Sequence, residues 1–100
     1  MENNHFAVMI AGLVKPGMDG YMKHYLKEMM DESVKDKGCI LYNIHQSTDN
    51  PLEFMVYMLW ESEAAFEKHN QKPEMQEFKK ELSKQMFEAQ SPKTCWKLLR

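Results

Sequence analysis

The sequence predicts an α+β fold in which an antiparallel sheet carries helices on one face, with the element order β-α-β-β-α-β. Three observations support this prediction: apolar runs of strand length, two of them joined by a short turn; amphipathic segments with helical spacing; and proline, glycine or aspartate at the junctions. With 100 residues, the chain is expected to form a single domain over residues 1–100.

The first two elements are a strand and a helix. The run from His5 to Val14 is apolar on both faces and precedes Pro16-Gly17, which predicts a strand buried on both sides. Asp19 is then predicted to cap a helix, and Gly38 is predicted to end it. The apolar residues of that helix recur at helical spacing: Met22, Tyr25, Leu26, Met29 and Met30.

A β-hairpin is predicted next. Its strands are Cys39–Ser47 and Leu52–Trp60, joined by a turn over residues 48–51 in which Asp and Asn precede Pro. Apolar residues occupy both faces of the second strand: Phe54, Val56, Met58 and Trp60 on one, Met55, Tyr57 and Leu59 on the other. A sheet with helices on one side normally has a polar second face. This second face is therefore expected to pack on the sheet of a second copy, which gives a homodimer.

The rest of the chain adds a divided helix and a last strand. Ser62 is a suitable N-cap for a helix that runs to Asn70, and Pro73 restarts the chain in a second helical segment. That segment is expected to end at Pro92, before a strand from Thr94 to Leu99. Its amphipathic stripe consists of Met75, Phe78, Leu82, Met86 and Ala89. The resulting order is that of a ferredoxin-like fold, and two such sheets packed face to face form a dimeric α+β barrel with a lumen.

Composition argues against several classes of partner. The net charge of −2, with lysine and glutamate interleaved, argues against nucleic acid. The apolar run from Phe6 to Val14 is too short to cross a membrane. Cys39 and Cys95 are far apart, and a short secreted scaffold usually carries more cysteines, so reduced thiols in a cytoplasmic protein are expected.

The sequence contains no standard metal or phosphate motif. Its glycines form no phosphate-binding loop. Its four histidines lie on four different elements without metal-binding spacing: His5, His24, His45 and His69. His69, on the helix after the hairpin, is the candidate for a proton acceptor near neutral pH. The alternative is a half-buried structural histidine.

Other candidates for a pocket lie on the hairpin strands. Asn43 and His45 share one strand face with apolar neighbours, which suits a pocket wall and equally a partly hydrated interface. Trp60 suits stacking on a planar ligand or filling of the core. Methionines such as Met58 are typical of an adaptable lumen for an aromatic or lipophilic ligand, and also of core packing.

Five segments occur in a characteristic order along nearly the whole chain. They are Pro16-Gly17; Ser33 with Gly38-Cys39 and Tyr42; HQSTDNP at 45–51; W-E-S-x-x-A-x-x-x-H from Trp60 to His69; and KPEMQEF at 72–78. Together they resemble the antibiotic biosynthesis monooxygenase family, including its quinol monooxygenases. The resemblance implies a dimeric α+β barrel and the oxidation of quinols or polyphenols by dioxygen without metal, flavin or haem, with the substrate itself as reductant.

The resemblance also implies roles for single residues. His69 matches the family's helix histidine and is predicted to be catalytic, and Trp60 matches its aromatic residue at the strand end. Relatives commonly carry a glutamate where Met58 stands and Pro-His where Pro73-Glu74 stands. The predicted substrate-binding residues are Asn43, His45, Met58, Trp60 and Glu74, with no metal site and no cofactor.

Two other functions remain open at this point. One is a cofactor-free isomerase of a small phosphorylated carbonyl compound, with His45, His69 and Lys15 for proton transfer and phosphate contact. The other is a non-enzymatic ligand-binding dimer of the same fold, which the apolar Met58 favours. All three hypotheses predict a small molecule as the bound partner of a homodimer.

Overall fold

Strands and helices follow the predicted order in the computed structural model of the chain, which describes residues 4–85 and 93–99. The strands are β1 (Phe6–Leu13), β2 (Cys39–Gln46), β3 (Glu53–Trp60) and β4 (Thr94–Lys97). The helices are α1 (Asp19–Ser33), α2 (Glu63–Asn70) and α3 (Pro73–Gln85). No helix in the described ranges is long and apolar enough to cross a membrane.

The four strands form one antiparallel sheet with the order β2-β3-β1-β4. Met58 of β3 lies between Tyr42 of β2 and Val8 of β1, which fixes the register of the central strands. A register shift between Cys39 and Leu41 interrupts the pairing at the start of β2. This sheet with its helices confirms the predicted ferredoxin-like α+β fold.

The core lies between the sheet and the helices. Because side chains alternate along a strand, every second residue of β1 and β3 points to the helices, and Val8 and Trp60 are fully buried there. Met22 and Leu26 of α1 belong to the same cluster. Each large apolar side chain buried in this way stabilises the fold by about 1.5–3 kcal/mol. This layer is therefore the main source of stability.

The opposite face of the sheet presents apolar side chains to the surface. One row crosses all four strands and consists of Leu41, Leu59, Ala7 and Trp96. Leu41 is 38% exposed and Trp96 is 56% exposed. This is the face for which the sequence predicts a partner sheet, and dimerisation stays a prediction.

Both predicted ends of α1 are wrong. Met18, not Asp19, holds the N-cap position, and Asp19 lies in the first turn, where its charge favours the helix dipole. The helix ends at Ser33, well before Gly38. The Ser33 hydroxyl donates to the carbonyl of Met29 at 2.6 Å, a bond that competes with continued helix. Gly38 instead adopts a positive φ of 96° at the entry to β2.

The later helices begin where the sequence predicts. The Ser62 hydroxyl accepts a hydrogen bond from the backbone N–H three residues on, which confirms it as the N-cap of α2. Pro73 is the first residue of α3. The described part of the predicted stripe packs on the core with Met75, Phe78 and Leu82. The remaining predicted positions, Met86, Ala89 and Pro92, lie outside the described residues.

The two cysteines are free thiols on opposite edges of the sheet. Cys39 begins β2, whereas Cys95 belongs to β4, and the strands β3 and β1 separate them. A disulfide needs the two Cα atoms within about 7 Å of one another. Two intervening strands, each about 4.8 Å from the next, put an intrachain bridge out of reach.

Candidate functional site

A cavity of about 430 Å³ lies between the sheet and the helices. Its floor is formed by apolar side chains on the helix-facing side of β1, β2 and β3, and α1 and α3 supply much of its walls. The volume falls in the range of small-molecule pockets, about 300–1,000 Å³. The polar side chains that line it are Tyr42, His69, Asn70, Lys79, Ser83 and Lys93.

His69 of α2 lines this cavity although only 5% of it is exposed. Its Nδ1 lies 2.6 Å from Oδ2 of Asp36. An ionised carboxylate only accepts hydrogen bonds, so Nδ1 carries the proton and donates it to Asp36. Nε2 is then the unprotonated nitrogen, and its lone pair is available to a molecule in the cavity.

The pKa of His69 favours the neutral imidazole. Burial lowers this pKa below the ordinary value of 6.5, and the hydrogen bond to Asp36 opposes the shift without cancelling it. The positive charges of Lys72 and Lys79 lower the pKa further. At pH 7 the ring is therefore uncharged, which is the form that a general base requires.

Asp36 lies in the turn between α1 and β2 and joins His69 to Lys72. Lys72 Nζ donates to Oδ1 at 2.6 Å, while Oδ2 accepts from His69. Burial by itself raises the pKa of Asp36, but these two hydrogen bonds outweigh it and hold the pKa below 3.8. The ionised carboxylate fixes the tautomer and the orientation of the imidazole. In the part of the chain that the structure describes, no group of three potential ligands forms a metal site.

Aromatic rings pack against His69. The centroid of the Trp60 ring is 4.5 Å from that of the imidazole, and the Phe66 centroid is 6.2 Å from it. Trp60 is fully buried, and its Nε1–H has no hydrogen-bond partner among the described residues. Leaving such a donor unpaired costs about 1–3 kcal/mol. Because Trp60 packs against the imidazole and does not line the cavity, it acts here as a packing support for His69.

Tyr42 brings a phenol to the floor of the cavity. Burial raises the pKa of Tyr42 to about 12, and a hydrogen bond with Ser33 opposes the shift. The hydroxyl thus stays protonated at physiological pH. A protonated phenol cannot act as a base toward a ligand.

Comparison with known proteins identifies the family. Residues 5–81 match the sequence model described as antibiotic biosynthesis monooxygenase. The chain belongs to this family. The resemblance expected from the sequence is thereby confirmed, and it supports a monooxygenase-like function in general terms. No curated protein matches the sequence significantly.

Solved structures share the fold of this family member over nearly its whole length. A protein from Nitrosomonas europaea, provisionally described as an antibiotic biosynthesis monooxygenase, has a TM-score of 0.89 at 16% identity and covers 99% of this chain and 94% of its own. Rv0793 from Mycobacterium tuberculosis has a TM-score of 0.87 at 18% identity, with 96% of each chain covered. A conserved protein from Methanosarcina mazei Go1 has a TM-score of 0.86 at 22% identity, covering 93% of this chain and 91% of that one. At these identities the likeness is one of fold.

In this family member, three of the predicted site residues come together. Met58 and His69 line the cavity, and Trp60 packs against the imidazole without being part of the lining. Met58 leaves the cavity floor apolar at this position. His69, held by Asp36, brings an unprotonated ring nitrogen to this cavity.

Three other predicted residues do not share the cavity, which corrects the expectation of a common site. Asn43 lies opposite Tyr57 and His45 lies opposite Met55, so both belong to the sheet face away from the helices. His45 Nδ1 is 3.3 Å from the Met55 carbonyl oxygen, at the surface. Glu74 is exposed on α3 and does not line the cavity, whereas the next residue, Met75, is buried and does line it.

Sequence reasoning missed several groups of the site, among them Asp36, Tyr42, Lys79 and Lys93. The predicted turn over residues 48–51 would place Tyr42 opposite Tyr57, whereas the observed register is shifted by one residue and places it opposite Met58, facing the helices. Asp36 had no local signal, since its partner His69 is 33 residues away in sequence. Only the folded chain brings the two together.

Proposed function

We propose that the chain is a cofactor-independent monooxygenase that oxidises a quinol or polyphenol with dioxygen. One observation carries this proposal: a buried, neutral histidine, held by an ionised carboxylate, lines a cavity of about 430 Å³ with an apolar floor. The family name supports the reaction class. The apolar floor supports an aromatic substrate, since flat rings bury much surface in such a site.

The proposed chemistry begins with a proton transfer. Nε2 of His69 accepts the proton of a phenolic hydroxyl, and Asp36 stabilises the imidazolium that forms. The electron-rich phenolate then reduces dioxygen, and a hydroperoxide forms on a ring carbon. Loss of water from that carbon leaves a carbonyl group, so one oxygen atom enters the product and the other leaves as water. The apolar floor limits the access of water to the reactive anion.

The test uses 1,4-dihydroxynaphthalene under ¹⁸O₂. The expected product is 2-hydroxy-1,4-naphthoquinone with one ¹⁸O atom, measured by mass spectrometry, above the rate of autoxidation without protein. Removing a general base typically lowers the rate by about 10²–10⁴-fold, so His69→Gln should abolish most of the incorporation. His24→Gln is the matched control because His24 is exposed on α1 and pairs only with Glu28. Equal rates for His69→Gln and the wild type would contradict the proposal.

We also propose that the protein acts as a homodimer joined through the apolar sheet face, in the cytoplasm, where reduced thiols are maintained. The apolar row of Leu41, Leu59, Ala7 and Trp96 on that face supports this, because it is continuous across four strands and partly exposed. Sedimentation velocity should give a dimer for the wild type and a monomer for Trp96→Lys. Val34→Lys is the matched control, since Val34 is 52% exposed but lies at the end of α1. A monomeric wild type would contradict this assembly.

A further inference from the structure

The charge of the cavity is one-sided. Among the described residues that line it, none is acidic, whereas Lys79 and Lys93 are both basic and His69 can become so. The chain as a whole has a net charge of −2. The positive charge of the cavity lining is therefore opposite in sign to the net charge of the chain and reflects where these lysines are placed.

Lys79 is an exposed residue of α3 that also lines the cavity. It follows Met75 by one helical turn, and both residues line the cavity. Burial of part of its side chain lowers the pKa of Lys79, and the charge of Lys93 lowers it further. Its own charge in turn lowers the pKa of His69. Lys79, Lys93 and His69 all line the same cavity.

Lys93 is held over the aromatic wall of the site. Its Nζ lies 5.0 Å from the centroid of the Phe66 ring, within the range of a cation–π contact. Within residues 4–85 and 93–99, neither Lys93 nor Lys79 has an ion-pair partner. Glu67 affects the pKa of Lys79 only as a distant charge. Two ammonium groups thus line the same cavity, and no carboxylate of the described residues forms an ion pair with either.

We infer that the cavity binds an aromatic ligand that carries an anionic group, a carboxylate or a phosphate, with the anion between Lys79 and Lys93 and the ring on the apolar floor. An anion there neutralises the repulsion between the two lysines and gains charge-assisted hydrogen bonds. The same position lies near His69, so a phenolic hydroxyl next to the anionic substituent comes within reach of the base. This ligand class is also the substrate class of the proposed monooxygenase. Binding of the ligand does not depend on that function, whereas its turnover rests on it.

Binding is tested by calorimetry with a matched pair of ligands, 1-hydroxy-2-naphthoate and its neutral analogue 1-hydroxy-2-naphthamide. The acid is expected to bind the wild type about tenfold more tightly than the amide, and the difference should shrink as salt is added. Lys79→Gln and Lys93→Gln should each weaken binding of the acid about three- to fivefold and leave that of the amide unchanged. Lys80→Gln is the control, because Lys80 is exposed like its neighbour Lys79 but does not line the cavity.

Three results would overturn the inference. The first is equal affinity for the acid and the amide. The second is a Lys80→Gln variant that weakens binding of the acid as much as Lys79→Gln does. The third is binding of ribose 5-phosphate as tight as that of the naphthoate, which would leave an anion site without preference for an aromatic ring.

Turnover separates this inference from the proposed function. If 1,4-dihydroxy-2-naphthoate binds in a lysine-dependent way and gains no ¹⁸O, the inference stands and the monooxygenase function fails. If 1,4-dihydroxynaphthalene is oxygenated with the same KM as its carboxylate, and neither lysine variant changes that KM, the function stands and the inference fails.

Discussion

Replacement of Gly38 by alanine tests how tightly the turn before β2 is pressed against α2. Gly38 has a φ of 96°, and a Cβ atom added to it would stand 2.7 Å from the Cβ of Ala65. Its carbonyl oxygen accepts a hydrogen bond from the Glu61 backbone at 2.8 Å, which ties the turn to the end of β3. The turn cannot move away without straining that bond. Gly38→Ala should therefore destabilise the fold strongly.

The expected magnitude has two parts. A side chain in the left-handed region costs about 1–2 kcal/mol. Overpacking against a neighbour that is fixed in a helix costs about 1–3 kcal/mol more. Together they predict a loss of about 2–5 kcal/mol in the free energy of unfolding, a large part of the total stability of a small domain. The same displacement would move Asp36, two residues earlier, away from His69, so turnover should fall as well.

Urea denaturation at constant pH measures the loss, and Gly17→Ala is the matched control. Gly17 also has a positive φ, of 85°, but an added Cβ meets no atom within 4 Å, so only the conformational cost of about 1–2 kcal/mol should appear. Combining Gly38→Ala with Ala65→Gly should recover the overpacking part. Equal losses for Gly38→Ala and Gly17→Ala would refute the reasoning that the turn and α2 are in contact.

The remaining predictions concern the titrating groups of the site. Asp36→Asn should lower the pKa of His69 further, whereas Lys72→Met should raise it. Both pKa values can be measured by ¹⁵N NMR titration of the imidazole. Shifts of the same sign in the two variants would be inconsistent with the described hydrogen bonds. The folded pKa of His69 is depressed, so the unfolded state binds more protons below pH 6.5 and the free energy of unfolding should fall as pH drops through that value. In His69→Gln, urea denaturation should show this pH dependence reduced, and an unchanged slope would count against it. Tyr42→Phe should cost about 1 kcal/mol for one hydrogen bond but leave turnover nearly unchanged, because a pKa of about 12 keeps the phenol protonated; a tenfold loss of rate would contradict this assignment.

The fold could be predicted from the sequence because its signals are local. Strand alternation, the Ser62 cap and the proline that begins α3 each depend on residues a few positions apart. The C-terminal end of α1 was predicted wrongly for an equally local reason, the hydroxyl of Ser33, which competes with the helix before Gly38 is reached.

The site was predictable only in part. His69 and Met58 were found, but which face of β2 points to the helices depends on register, and register placed Tyr42 inward and Asn43 outward. The link from His69 to Asp36 depends on how the turn after α1 lies against α2. Neither periodicity nor spacing carries that information, since it arises from tertiary packing.

The alternation of side chains along β3 divides the evolutionary constraints on this protein. Residues such as Val56 and Met58 determine what fits the cavity, whereas Tyr57 and Leu59, between and beyond them in sequence, belong to the outer face. A single substitution therefore affects one face and leaves the other almost untouched. Descendants of such a chain can change the partner of the outer face without altering the chemistry inside. They can equally acquire a new substrate while the surface for assembly stays the same.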